Sequence, residues 1–97
     1  MIKRIVRMQF RKKKVPDFLE LFRESCEAIR AFEGCMYLEL LQDAKDPEVY
    51  VTLSIWESEE ALNNYRNSDL FKETWSRTKK LFSKKPKAWS MTSYIML

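Results

Sequence analysis

Residues Ile55 to Phe71 read IWESEEALNNYRNSDLF, and they decide how the rest of the chain is understood. A β-branched and aromatic run ends at Trp56, so a strand stops there. Ser58 follows as a helix cap, with Glu59 and Glu60 placed to complement the positive end of the helix dipole. The helix runs to Asn67, where Ser68 and Asp69 open another. The second helix has its apolar stripe at Phe71, Trp75, Thr78 and Phe82.

Upstream of this stretch, Glu48 to Trp56 is predicted as a strand. Val51, Leu53 and Ile55 share one face, and Tyr50, Thr52, Ser54 and Trp56 share the other. Cys35 to Gln42 is the strand before it, and the polar Asp43-Ala44-Lys45-Asp46-Pro47 turn joins the two as a hairpin. Gly34, the only glycine in the chain, stands where a helix end calls for a left-handed residue. The helix it closes begins near Pro16, with Asp17 and Glu20 early in it. Phe18, Leu19, Phe22, Cys26, Ile29 and Phe32 form its apolar stripe. Ile2 to Phe10 is the first strand: Ile2, Val6, Met8 and Phe10 face one way, and Lys3, Ile5, Arg7 and Gln9 the other. Downstream, Pro86 breaks the helix pattern and Lys87 to Leu97 reads as a last strand.

Strand, helix, two strands, helices, strand is the order of a split β-α-β fold. The expected class is α+β: a ferredoxin-like antiparallel sheet with helices on one face. The 97 residues suffice for a single domain, 1–97. Strands apolar on both faces need a second cover, and another copy of the chain is the simplest one. Three Trp, four Tyr and six Phe exceed what a small core requires, which points to a lined pocket or an apolar interface.

The net charge of +4 comes largely from Arg11-Lys12-Lys13-Lys14 and from Lys79, Lys80, Lys84, Lys85 and Lys87. These clusters flank helix ends and carry no nucleic-acid motif, so they read as solvated loop charge. An RNA-binding version of the fold would need glycines and a basic start where Val49-Tyr50-Val51-Thr52-Leu53 stands. Nucleic acid is therefore not an expected partner. Neither is a membrane, since no apolar run reaches the length of a span. Met1 to Phe10 lacks the apolar core of a signal peptide, and the expected location is the cytoplasm.

The chain contains no histidine. Ser-His and Cys-His nucleophile pairs are thereby ruled out. Cys26 and Cys35 are not spaced as a metal pair and have no histidine to join them, so no metal site is expected. Cys26 is expected to be a small buried apolar residue. No glycine-rich phosphate loop is present.

Ala31-Phe32-Glu33-Gly34-Cys35, the hairpin, and Trp56-Glu57-Ser58-Glu59-Glu60-Ala61 together resemble the antibiotic biosynthesis monooxygenase family over almost the whole chain. That resemblance implies a homodimer in which two sheets pack as a dimeric α/β barrel, with a cleft between each sheet and its own helices. Some members oxidise aromatic polyketides or quinols with molecular oxygen and no metal or flavin; a related branch degrades haem. Three positions depart from the family. Tyr65, nine residues after the motif tryptophan, stands where many members have histidine. Trp75 stands where the haem-degrading branch has its axial histidine, and Arg7 where that branch has an asparagine. Histidine-ligated haem has no ligand here.

The function expected from these residues is cofactor-independent oxygenation of an aromatic or quinol-like small molecule. The alternative is a non-catalytic small-molecule-binding or stress-related dimeric module of the same fold. Oxygenation without a cofactor needs a dry pocket, a base or hydrogen bonder, and a group that stabilises the substrate anion. The candidates are Arg7 for the anion, Tyr65 as hydrogen bonder and Glu39 as base. Trp56, Trp75, Thr52 and Ser54 would line the substrate site. Each has a plainer reading: Trp56 as a wedge between sheet and helix, Trp75 as core, and Arg7 with Glu39 as an ion pair.

Overall fold

A computed structural model describes all 97 residues. Four strands form one antiparallel sheet: β1 (Ile2–Gln9), β2 (Cys35–Gln42), β3 (Val49–Trp56) and β4 (Lys87–Met91). Helix α1 (Val15–Arg30) follows a short 3-10 turn, and α2 (Glu59–Arg66) and α3 (Asp69–Lys79) lie between β3 and β4. The sheet order is β2-β3-β1-β4. This is the ferredoxin-like α+β arrangement. No helix is long and apolar enough to cross a membrane.

The caps form as the serines predict. Ser58 accepts from the Ala61 amide at 3.1 Å, and Ser68 accepts from the Phe71 amide at 3.1 Å. Each satisfies a backbone donor that a helix start leaves unpaired. In the hairpin, the Asp43 carboxylate accepts from the amides of Lys45 and Asp46 at 2.8 and 2.9 Å. Those bonds hold its carboxyl below the usual range. Gly34 has φ 89°. A Cβ there would also run into the Cβ of Ala61 on α2. The position therefore needs glycine for backbone shape and for close approach of the helix.

Two core clusters hold helices to sheet. One joins Met8, Phe10, Phe18 and Tyr50, with Trp75 and Phe82 packed on it. The other joins Cys35, Trp56 and Leu62, with Phe32, Ala61 and Tyr65 around it. Both draw on the even-numbered residues of β1 and β3, because alternate side chains of a strand share a face.

Three details differ from the sequence expectation. The last strand stops at Met91 instead of reaching Leu97. Met91 pairs with Lys3, and β1 begins at Ile2, so the residues beyond have almost no strand left to pair with. On α1, Ser25 is buried and Cys26 only half-buried. The buried line runs Phe18, Leu21, Ser25, Ile29. Ser25 tolerates this because its hydroxyl donates to the Leu21 carbonyl at 2.9 Å. Finally, Phe82 lies beyond α3, which ends at Lys79, and reaches the core through a β-bridge to Phe10.

The sheet face away from the helices is also apolar. Ile5, Val51, Leu53 and Ile55 are half-buried across it. Tyr37, Leu41, Trp89 and Met91 are exposed towards its edges. Only 13 of 97 residues are buried, so this face leaves much apolar surface in water.

Candidate functional site

Between the two core clusters, sheet and helices do not close. A cavity of about 280 Å³ remains there, just below the usual range for small-molecule sites, which starts near 300 Å³. Its floor is the helix-facing side of the sheet: Arg4, Val6 and Met8 of β1, Thr52, Ser54 and Trp56 of β3, Leu38 of β2 and Ala88 of β4. Phe18, Phe22 and Ile29 of α1 close one wall. Leu62, Tyr65 and Arg66 of α2 and Phe71, Thr74, Trp75 and Thr78 of α3 complete it.

Aromatic rings stack along this last wall. Trp56 and Tyr65 are nearly parallel, with centroids 4.8 Å apart and planes 23° from each other. Phe71 meets Tyr65 edge-on at 5.2 Å and stacks on Trp75 at 6.0 Å. Trp56 is 1% exposed, and its indole N–H donates to Ser54 Oγ at 2.9 Å. It is thus both a wedge in the core and a wall of the cavity. A bond of this kind fixes the ring plane, because a buried indole donor must be satisfied.

Tyr65 is the polar member of the stack. Burial, and secondarily the nearby Cys35, push its phenol up to about 12. At neutral pH it is a proton donor and not a base. No hydrogen bond within the chain engages its hydroxyl, which is not sealed away from open space.

Arg4 and Arg66 are the charged groups of the lining, which holds no carboxylate and no histidine. Arg4 is half-buried, and Nη1 donates to Ser90 Oγ at 3.0 Å. Burial, then the charge of Arg66, lower its pKa. The ion pairs of the chain are Lys14–Asp17 and Arg77–Glu24, so neither cavity arginine has a carboxylate partner.

Five of the residues singled out in the sequence meet here: Tyr65, Trp56, Trp75, Thr52 and Ser54. Arg7 and Glu39 do not. Arg7 pairs with Val51 and Lys87, and Glu39 with Leu53, on the opposite face of the sheet. Strand alternation sends Arg7 away from the face that Met8 and Val6 occupy. Glu39 instead accepts from the Tyr37 hydroxyl at 2.8 Å. The two form no ion pair within the chain, and β3 runs between their strands. Arg4 and Arg66 were not foreseen. Arg4 was findable, since it alternates in phase with the apolar residues at 2, 6, 8 and 10. Arg66 was not, because its position depends on how α2 seats on the sheet.

The sequence profile of the antibiotic biosynthesis monooxygenase family matches residues 1–76. A staphylobilin-producing heme oxygenase from Staphylococcus epidermidis is 32% identical over 75 residues, which cover 77% of this chain and 69% of that one. Among solved structures, a conserved protein from Methanosarcina mazei superposes with TM-score 0.89 and 26% identity, covering 93% and 89% of the two chains. A structure described as an antibiotic biosynthesis monooxygenase superposes with TM-score 0.92 over 98% of this chain and 100% of its own, at 22% identity. The latter similarity is one of fold.

The cavity does not suit haem in the manner of the haem-degrading branch. Its lining has no histidine, its phenol is held protonated, and no cluster of His, Cys, Asp and Glu exists to hold a metal. The fold and the 1–76 match agree, and the chain belongs to the antibiotic biosynthesis monooxygenase family.

Proposed function

We propose that residues 1–97 form one oxygenase domain that acts on an aromatic or quinol-like small molecule without a metal or flavin. The carrying observation is the aromatic-walled cavity of about 280 Å³, with a protonated phenol set into its apolar wall. A ring lies over the sheet against the wall made by Tyr65, Phe71 and Trp75. Once the substrate has lost a proton to water, its anion reduces oxygen by one electron and the two radicals combine at carbon. For an activated ring CH₂, loss of water from the peroxide leaves C=O, so the substrate supplies all four electrons. Tyr65 donates a hydrogen bond to the oxyanion or peroxide, and the apolar walls exclude bulk water. Arg4 takes the place expected of Arg7 as the nearby cation.

The active form is a homodimer through the outer face of the sheet. Its support is the apolar surface of Ile5, Val51, Leu53 and Ile55 and the small number of buried residues.

Oxygen uptake with a panel of hydroxylated anthrones and quinols tests the reaction. Turnover with at least one of them, falling about 100-fold in Tyr65→Phe, is the expected result. A second reading, a binding module without chemistry, is favoured by the lack of a base in the lining. No uptake across the panel would select it.

A further inference from the structure

Four features of the cavity bear on its ligand. Two arginines line a site otherwise built of aromatic, aliphatic and hydroxyl side chains. Neither is neutralised within the chain. They are near enough for the charge of Arg66 to bear on Arg4. No carboxylate or histidine lines the cavity to take a proton from a ligand.

Their placement is directional. Arg4 sits beside Ser54 and Ser90 across the sheet, in the register Ser54–Arg4–Ser90. Two residues further along β1 the same face carries Val6, and then Met8. The cavity therefore has a cationic end at Arg4 and an uncharged end at Val6 and Met8. Two like charges beside low-dielectric walls repel each other, and an anion between them removes that cost while gaining charge-assisted hydrogen bonds. Arginine is suited to the task because its planar fork matches the oxygens of carboxylate and phosphate.

We propose that this cavity binds its ligand as a preformed organic anion, a flat apolar ring system bearing a carboxylate or phosphate group held between Arg4 and Arg66. The ring occupies the Val6–Met8 end against Trp75, and the acidic group lies at the Arg4–Arg66 end. This deepens the oxygenase reading by naming the substrate class, but the binding claim is independent of turnover.

Isothermal titration calorimetry with 2-naphthoate, 2-naphthyl phosphate and the neutral 2-naphthalenemethanol tests it under anaerobic conditions. At least one of the two anions is expected to bind about tenfold or more tightly than the alcohol. The tighter of the two identifies the acidic group. Arg66→Gln, at an exposed position that should leave folding intact, is expected to erase most of this preference, and Arg66→Lys to keep part of it. Arg4→Gln should do the same where circular dichroism shows a folded chain. Equal binding of anions and alcohol, or an anion preference unchanged in Arg66→Gln, would overturn the proposal. Anion binding without oxygen uptake would refute the oxygenase and leave this inference standing; uptake of neutral quinols without anion preference would do the reverse.

Discussion

Gly34 and Tyr65 show how much a single position can decide. At Gly34, a methyl group meets Ala61 while the backbone is held at φ 89°. Gly34→Ala should cost roughly 3 kcal/mol, adding a left-handed backbone penalty to overpacking. Urea unfolding of the two proteins measures it, and a loss under about 1 kcal/mol would mean that α2 moves aside easily. At Tyr65, burial raises the folded phenol to about 12, above the ordinary tyrosine value of about 10. The folded state thus holds its proton more tightly than the unfolded chain. The associated stability is complete below pH ~10 and declines between pH ~10 and ~12. Tyr65→Phe lacks a phenol and should lose less stability across that interval than the wild type. Parallel unfolding curves at the two ends of the interval give the difference; identical declines would show that Tyr65 titrates as if in water.

The elements are specified mostly by local chemistry. Ser58 and Ser68 each cap a helix, and Ser68→Ala should lower stability by about 1 kcal/mol, visible as a shift in the urea midpoint. The hairpin, Gly34 and the two caps were all legible in the sequence because each rests on contacts within a few residues. The end of β4 was not. A strand needs a partner, and the extent of β1 ends the ladder at the Lys3–Met91 pair although the chain runs on. The burial of Ser25 over Cys26 has a similar origin: the helix turns its exact seam toward the sheet, and an i−4 hydrogen bond makes a hydroxyl acceptable there.

For the whole molecule, the outer sheet face is the feature with the largest consequence. If it joins two copies, light scattering should give twice the 11.7 kDa chain mass at micromolar concentration. Leu53→Asp, at the half-buried centre of that face, should give a folded monomer by circular dichroism and light scattering. A wild-type monomer would remove the dimer.

The order of elements, the helix starts, the turn at Gly34 and the family pattern around Trp56 follow from the sequence alone. Each depends on near neighbours or on a simple period. Five of the cavity residues were also named from it, since Thr52, Ser54 and Trp56 alternate on one face and Tyr65 and Trp75 lie on helices that cover it. Only the tertiary structure decided which cation reaches the cavity, that Glu39 lies on the far side of the sheet, and that an open space is left between the clusters. Strand β2 has apolar residues in both phases, Leu38 and Leu40 against Tyr37 and Leu41, so its pattern does not say which face Glu39 takes. Arg66 joins Arg4 because α2 packs across the end of the sheet. Both outcomes depend on how separate elements meet, and no spacing within one element records that.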